Sequence, residues 1–218
     1  MDGLVVIDGL DGSGKATQTD LLFAWYKQQN IPVKQISFPN YESRSSALIQ
    51  MYLNGEITKD PAGVNAYAAA SFYAADRYIS YITDWKANYK QNELILCDRY
   101  VTSNAIHQMV KLKKEEWNDF LVWLDDYEYQ KLGLPKPNKV IYLDIDTEVS
   151  QKLLDERYKQ NGLKKDIHEA DIDYLRRCRE AGLYVARLQK WKVISCCHLQ
   201  KLRTVDDIFT EITEYLEG

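Results

Sequence analysis

The stretch that decides the fold is Gly9-Leu10-Asp11-Gly12-Ser13-Gly14-Lys15, which directly follows a short apolar run over residues 4–8. Its glycines permit positive φ values and a close backbone approach, so that successive N–H groups can point at one anion. Lys15 comes where helical periodicity begins, and the N-terminal end of a helix favours negative charge. A strand, a glycine-rich turn and a helix in this order predict a phosphate-binding loop. A plain surface turn followed by an exposed lysine is the alternative.

We assign ATP binding to this loop and to the first turn of the helix. The position after Lys15 departs from the usual motif, in which a Ser or Thr hydroxyl ligates Mg²⁺, because it is Ala16. A helix turns about 100° per residue, so Thr17 faces elsewhere. Carboxylates or water must then hold the metal, and Asp11 and Asp98 are the candidates. The predicted ATP-binding residues are Gly9, Leu10, Asp11, Gly12, Ser13, Gly14, Lys15, Ala16 and Thr17.

Further β-branched runs follow at residues 33–38, 94–98, 139–144 and 192–195, separated by segments long enough for helices. This alternation predicts an α/β fold, a three-layer sandwich of the P-loop NTPase class with a five-stranded parallel sheet between helices. The polar stretch 159–171 contains Asn161-Gly162 and adjacent lysines, which is typical of a flexible lid. No repeat or linker divides the chain, so we expect one domain over 1–218. Helices are expected over 65–90, 113–132, 148–158, 172–189 and 205–216.

Composition excludes several classes of protein. Lys and Arg number 28 against 32 Asp and Glu in 218 residues, a net charge of -4, which leaves no general positive field for nucleic acid. The cysteines lack C-x-x-C spacing, so neither a disulfide framework nor a zinc site is indicated. No segment reaches the ~18 apolar residues of a membrane helix, and no basic leader precedes the first strand. We therefore expect a cytoplasmic protein that binds neither nucleic acid nor membrane.

The run 94–98 ends in Asp98-Arg99-Tyr100, which puts a carboxylate and a guanidinium at the carboxyl edge of the predicted sheet. Open α/β sheets bind ligands at this edge. Taken alone, Asp98 and Arg99 could equally form an ion pair at a strand end. Tyr73 and Arg77 lie four residues apart and share a helical face. That spacing by itself favours an amphipathic helix with one core ring and one surface charge.

These motifs together resemble the thymidylate kinase family of P-loop nucleoside monophosphate kinases, and the resemblance covers nearly the whole chain. It implies ATP- and Mg²⁺-dependent phosphoryl transfer to dTMP, which gives dTDP and ADP. It also implies a homodimer that pairs through helices. The segments that carry it, besides residues 9–15, are Phe38-Pro39, Phe72-Tyr73-Ala74-Ala75-Asp76-Arg77, Asp98-Arg99-Tyr100 with Ser103-Asn104, and Leu134-Pro135-Lys136-Pro137.

The resemblance also implies roles for residues of a dTMP site. Tyr73 would stack on the thymine ring while Arg77 hydrogen-bonds its edge. Asp11 would take the sugar 3′-hydroxyl or assist Mg²⁺, and Arg99 would clamp the acceptor phosphate. Phe38-Pro39 would be a cis peptide, with an ordinary trans turn as the alternative. The predicted dTMP-binding residues are Asp11, Phe38, Pro39, Arg44, Tyr73, Arg77, Arg99, Ser103, Asn104 and His107.

Several positions depart from the family's pattern. His107 stands where an aromatic residue is associated with excluding a 2′-hydroxyl, so the preference between a ribose and a deoxyribose acceptor stays open. The alternative is that His107 is a core or surface histidine without a role in binding. Tyr41 stands where an arginine commonly contacts the acceptor phosphate, and Arg44 would compensate. Gly12 occupies the position of a catalytic arginine in some members, so cations of the lid would replace it. These are Arg157, Lys159, Lys164 and Lys165, which a solvated charge run would equally explain.

Phosphoryl transfer in such a site is mainly positioning and charge neutralisation. The acceptor phosphate has a second pKa of about 6 and is largely dianionic near neutral pH, so no general base is needed. Two alternatives remain: a catalytically silent nucleotide-binding protein of the same fold, which Ala16, Tyr41 and His107 motivate, and a monophosphate kinase for another base. The predicted catalytic residues are Lys15, Arg99, Asp11, Arg157, Lys164 and Lys165.

Overall fold

A five-stranded sheet forms the centre of the molecule. It is seen in a computed structural model that describes residues 3–60, 63–161, 171–199 and 201–218. All neighbouring strands of this sheet run parallel. The five-stranded parallel sheet is therefore confirmed. Its strands are β1 (Gly3–Gly9), β2 (Val33–Ser37), β3 (Leu94–Asp98), β4 (Lys139–Asp144) and β5 (Lys192–Ser195). They lie in the order β2-β3-β1-β4-β5.

Both faces of the sheet are covered. Successive side chains of a strand point to opposite faces. In β1, four consecutive residues from Leu4 to Ile7 are each at most 1% exposed, and Leu94, Ile95, Leu96 and Cys97 of β3 are fully buried. Apolar runs without alternation are what a parallel sheet between two helical layers requires. This burial pattern agrees with the predicted three-layer sandwich.

The helices expected from the sequence are present, two of them as composites, and two further helices, over residues 47–53 and 101–107, were not predicted. π-helical segments occupy Tyr81–Trp85 and Asp125–Lys131. Short 3₁₀ turns occupy Arg44–Ser46, Met109–Lys111 and Lys114–Glu116. The helices are α1 (Lys15–Gln28), α2 (Ala47–Leu53), α3 (Ala66–Ser80), α4 (Lys86–Lys90), α5 (Val101–His107), α6 (Trp117–Leu124), α7 (Thr147–Asn161), α8 (Ile172–Leu188) and α9 (Val205–Glu217).

The predicted lid overlaps the end of a helix. α7 continues to Asn161 and α8 begins at Ile172, so the stretch 159–171 starts inside α7. Lys164 and Lys165 fall outside the described residues, as does the side chain of Arg157, and their catalytic assignment stays a prediction. An antiparallel hairpin of β6 (Cys197–His198) and β7 (Lys201–Leu202) was not predicted. Among the described helices, none has the length and apolar character needed to cross a bilayer.

Candidate functional site

A pocket of about 530 Å³ opens at the carboxyl edge of the sheet. Three strands lead to it, because Asp11 follows β1, Ser37 ends β2 and Asp98 ends β3. This is the edge at which open α/β sheets bind ligands. The pocket is lined by Asp11, Ser37, Phe38, Pro39, Tyr41, Gln50, Leu53, Asn54, Tyr73, Arg77, Asp98, Arg99, Tyr100, Ser103, Asn104, His107, Gln108, Tyr158 and Tyr174.

All the residues assigned to dTMP from the sequence line this pocket, with the exception of Arg44. Arg44 is exposed, in the 3₁₀ turn after Pro39, so the structure puts it outside the cavity in which it was expected. Tyr41, which stands at the position expected for an arginine, lines the cavity instead. The peptide bond between Phe38 and Pro39 is cis, as the resemblance implied.

The glycine-rich loop has the backbone that its sequence predicts. Gly9, Gly12 and Gly14 have φ values of 153°, 76° and 86°. A Cβ on Gly9 would lie 2.6 Å from the Leu143 carbonyl oxygen, so no larger residue fits there. α1 begins at Lys15 without a side-chain cap. Its first N–H groups are therefore not used by a capping side chain and are suited to a phosphate.

The Lys15 side chain folds back and contacts the loop that precedes it. It is 6% exposed, its ammonium donates to the Leu10 carbonyl oxygen at 2.8 Å, and it lies 4.0 Å from Asp11 Oδ1. Burial and the nearby charge of Arg99 lower the pKa of Lys15, while Asp11 acts in the opposite direction. Ala16 and Thr17 are exposed on the first turn of α1. The ammonium is thus inside the loop, where it can exchange a carbonyl partner for a phosphate.

Arg99 joins the loop to the pocket. Its Nη2 donates to Asp11 Oδ1 at 2.5 Å, and its Nη1 donates to Ser103 Oγ at 3.2 Å and lies 3.0 Å from His107 Nε2. Its φ of 64° lies in the left-handed region, which is uncommon for a residue with a side chain. Burial raises the pKa of Asp11, but Arg99 and Lys15 outweigh it and the net pKa is lowered. The pair is therefore an ionised contact between the loop and the pocket.

Asp98 has an oxygen with no hydrogen-bond partner in the described structure. That oxygen, Oδ1, is buried. Burial raises the pKa of Asp98, although Lys15 and Arg99 act to lower it. Within the ranges that the structure describes, no group of three or more His, Cys, Asp and Glu side chains could hold a metal. Mg²⁺ commonly binds through one or two carboxylates plus substrate phosphates, and the orphaned oxygen of Asp98 fits that donor set.

Two buried aspartates that the sequence reasoning did not assign hold the site together. Asp8, directly before Gly9, accepts hydrogen bonds from Thr102 Oγ1 at 2.6 Å and Ser103 Oγ at 2.8 Å. Asp76 of α3 accepts a bond from the Asn40 N–H at 2.9 Å and another from the Ser45 hydroxyl. Asp76 stands next to Arg77 in a quoted motif, and a carboxylate amid apolar helix residues was an available signal.

Arg77 makes more hydrogen bonds within the protein than the sequence suggested. It is 1% exposed, and its Nε and Nη2 donate to Glu128 at 2.7 and 2.6 Å. Its Nη1 donates to the Tyr100 carbonyl oxygen at 3.3 Å. Burial opposes the charge, but Glu128 raises the pKa of Arg77. A guanidinium has five N–H donors, so two of them remain for a ligand in the pocket.

The comparisons with known proteins agree with these observations. The family model described as "Thymidylate kinase" matches residues 7–208. A thymidylate kinase of Mycobacterium tuberculosis is 27% identical over 176 residues, which cover 80% of this chain and 81% of that protein. A probable thymidylate kinase of Thermococcus onnurineus is 26% identical over 98% of this chain and 96% of its own. A solved thymidylate kinase of Candida albicans has the same fold, with a TM-score of 0.71 at 22% identity over 99% of this chain and 91% of that one.

Proposed function

The chain belongs to the thymidylate kinase family, and from this premise we propose that its sheet-edge pocket holds dTMP while the loop of residues 9–15 holds ATP. The enzyme is a nucleoside monophosphate kinase that transfers a phosphoryl group to dTMP, giving dTDP and ADP. One observation supports the assignment of the two sites most directly. Asp11 belongs to the loop and also lines the pocket, and Arg99 contacts it at 2.5 Å. Donor and acceptor phosphates would meet at this pair.

The donor side uses the loop and the start of α1. The backbone N–H groups of the loop and the uncapped helix N-terminus would bind the phosphates of ATP. Lys15 would leave the Leu10 carbonyl oxygen and follow the outer phosphates. Its charge would then offset the negative charge that the transferred group carries between the two oxygens. Cations of the lid, Arg157, Lys164 and Lys165, would add to this stabilisation.

The acceptor side presents a phosphate oxygen to the donor. Arg99 would clamp the phosphate of dTMP with the guanidinium that Asp11, Ser103 and His107 already surround. Tyr73 would stack on the base and Arg77 would bind its edge with its remaining N–H groups. Because the phosphate dianion is itself the nucleophile, no side chain has to remove a proton.

Mg²⁺ would be held by Asp98, with Asp11 through water and with phosphate oxygens. When bound, the ion neutralises charge on the phosphates and aligns them. Ala16 cannot supply the hydroxyl that usually ligates this metal, so the unpartnered Oδ1 of Asp98 is the best protein donor. His107, 3.0 Å from Arg99, would face the sugar and phosphate of the acceptor.

We further propose that the chain is one domain over 1–218, that it acts in the cytoplasm and that it forms a homodimer. The homodimer would pair through the outer face of α3 and the π-helical segment after it. That face exposes apolar side chains, with Tyr78 at 40%, Ile79 at 43% and Ile82 at 44%.

The test is a coupled assay of ADP release with purified protein, ATP and Mg²⁺ against dTMP, dAMP and dGMP. We expect turnover with dTMP and little with the purine nucleotides, whose bases are larger. A preference for dAMP or dGMP would assign the pocket to another base. ATP binding without turnover of any monophosphate would identify a catalytically silent protein of the same fold.

A further inference from the structure

Glu128 lies behind the pocket and binds two of the side chains that line it. It belongs to the π-helical segment Asp125–Lys131 and is 0% exposed. Oε1 accepts from Arg77 Nη2 at 2.6 Å and from Asn104 Nδ2 at 2.9 Å, and Oε2 accepts from Arg77 Nε at 2.7 Å. One carboxylate thus fixes a residue of α3 and a residue of α5 relative to each other.

These contacts fix the direction of the Asn104 amide. Its Nδ2 also donates to the Ala70 carbonyl oxygen at 3.1 Å, so both amide hydrogens are used. Exchanging the amide oxygen and nitrogen would turn the oxygen toward a carbonyl and a carboxylate, which is repulsive. Within the described ranges the amide oxygen accepts no hydrogen bond. Asn104 lines the pocket, and this oxygen is the polar atom that it leaves for a ligand.

Arg77 offers hydrogen-bond donors to a ligand, where Asn104 offers an acceptor. Glu128 and Tyr100 use three of its N–H groups, and the two that remain are donors that cannot become acceptors. We propose that Glu128 sets the base specificity of the pocket by locking Asn104 as an acceptor beside Arg77 as a donor. The base that fits has an imide edge, with an N3–H donor next to an O4 acceptor, as in thymine and uracil. This proposal rests on the proposed function, in which the pocket holds a pyrimidine nucleotide.

Cytosine in the same position meets the wrong partners. Its unprotonated N3 faces the Asn104 oxygen and its N4 amino group faces the Arg77 donors. Arg77 and Asn104 are each 1% exposed, so water does not compensate the mismatch. A site built to hydrogen-bond its substrate rejects an analogue that lacks the matching group by as much as about 10⁴-fold. We expect a loss of about 100-fold or more for cytosine.

The first experiment uses the wild-type chain with dTMP, dUMP, dCMP and N3-methyl-dTMP. The last compound keeps both carbonyls and the ring methyl of thymine but carries a methyl group in place of the N3–H, so it removes the donor and adds bulk at that position; dCMP is the comparison without added bulk. We expect turnover of dTMP and dUMP, and kcat/KM values lower by about 100-fold or more for dCMP and N3-methyl-dTMP. Turnover of dTMP with comparable turnover of dCMP overturns this inference and leaves the proposed function standing. No turnover of dTMP contradicts the proposed function itself.

The second experiment changes the carboxylate. Glu128→Gln replaces one acceptor oxygen by an amide donor at the same size, which frees Asn104 to reverse. We expect the ratio of kcat/KM for dTMP to that for dCMP to fall about tenfold or more. A merely structural role lowers both values by one factor and leaves the ratio unchanged, which overturns the proposal. The ratio is insensitive to the fraction of protein that is folded.

Two further variants complete this design. Glu128→Asp keeps the charge that Arg77 requires but is too short to reach Arg77 and Asn104 together, so its ratio should also fall. It serves where Glu128→Gln does not fold, as judged by thermal melting. Glu148→Gln breaks an exposed pair, in which Glu148 Oε1 lies 2.8 Å from Arg176 Nη2, and should leave the ratio at its wild-type value. An unchanged ratio in a folded Glu128→Asp protein overturns the proposal.

Discussion

Lys15 is a buried cation whose partner in this structure is a main-chain oxygen. Its ammonium donates to the Leu10 carbonyl oxygen, and burial lowers its pKa. A charge kept inside the loop is ready for a phosphate, so Lys15→Ala should remove transition-state stabilisation. We expect kcat/KM to fall about 100-fold or more, equivalent to about 3 kcal/mol. Steady-state kinetics with dTMP measure this change.

The matched control for Lys15 lies on the same helix. Lys27 is exposed near the end of α1, with its ammonium 5.5 Å from the centre of the Phe23 ring. Lys27→Ala should keep kcat/KM within about twofold of the wild-type value, because it removes a charge far from the loop. Similar losses in the two variants would contradict a specific role for Lys15.

Because its ammonium is partly buried, Lys111 should make the stability of the protein depend on pH. It is half-buried and donates to the Tyr52 hydroxyl and to the Val64 carbonyl oxygen at 3.1 Å. Burial lowers its pKa from 10.5 to about 8. Between these values the unfolded chain binds the proton and the folded chain releases it, so the free energy of unfolding rises with pH. Below the folded pKa the full cost of burying the charge is present.

Lys111→Met should remove that rise. The free energy of unfolding, measured with urea over about pH 8 to 10, should increase less steeply with pH than in the wild type. Lys90→Met, at an exposed lysine that ends α4, serves as the control and should keep the wild-type slope. Equal slopes in the Lys111→Met and wild-type proteins would show that burial does not lower the pKa of this ammonium.

Single residues differ in how far their roles could be predicted. Lys15 was predictable because its neighbours along the chain form the motif. Glu128 was not, because its partner Arg77 is 51 positions away and an acidic run with Asp125 and Asp126 is typical of a solvated surface. Arg44 was assigned to the pocket because the resemblance implies an arginine shortly after Pro39 and Arg44 is the first one that follows. Its exposure depends on the turn that follows Pro39, which no periodicity describes.

At the scale of elements, α3 fixes the segment that follows β2. Asp76 accepts hydrogen bonds from the Asn40 N–H and the Ser45 hydroxyl, both in this segment. The same segment contributes Phe38, Pro39 and Tyr41 to the pocket. Asp76→Ala should raise KM for dTMP about tenfold and leave KM for ATP within about twofold. Lost hydrogen bonds to a buried charge should also lower the free energy of unfolding by about 2 kcal/mol.

A control for Asp76 is available in the π-helical segment after α3. Asp84 is exposed and its carboxylate lies 2.6 Å from the ammonium of Lys34. Exposed pairs contribute roughly 0–1 kcal/mol, so Asp84→Ala should change stability little and KM not at all. Equal increases of both KM values in Asp76→Ala would indicate a general loss of structure instead of a loosened acceptor segment. Kinetics and urea unfolding of the two variants separate these results.

The strands could be predicted more closely than the small elements around them. A parallel strand buried on both faces is a short β-branched run, and β3, β4 and β5 have the predicted bounds. The hairpin of β6 and β7 has two residues in each strand, which is too short for any alternation to appear. The π-helical segments were covered by the helix pattern because an extra residue in one turn hardly changes an apolar periodicity.

At the scale of the whole molecule, the site depends on distant parts of the chain meeting at one sheet edge. Because β1 and β3 are neighbours in the sheet, Asp11 and Arg99 come together across 88 positions. α7 adds a second contact, since Ser150 Oγ donates to the Asp11 carbonyl oxygen at 2.6 Å. A Cβ on Gly12 would lie 3.1 Å from the Ser150 carbonyl oxygen, so α7 occupies the space beside the loop. The helix in which the predicted lid begins is thereby in contact with the glycine-rich loop.

The proposed homodimer would bury an exposed apolar face of α3 and the segment after it. Tyr78 and Ile82 lie four residues apart, and Ile79 and Ile82 three apart, so they share one outer face of α3 and the segment after it. Their exposure of 40% to 44% would be relieved by pairing with a second copy. Ile82→Lys would bury an unpaired charge in that contact, at a cost of several kcal/mol.

Sedimentation velocity should show the wild type at twice the mass of the chain and this variant at the mass of one chain. Val122→Lys, at the 70% exposed position on α6, should stay dimeric. A monomeric wild type would refute the homodimer, and a dimeric Ile82→Lys protein would move the contact to another face.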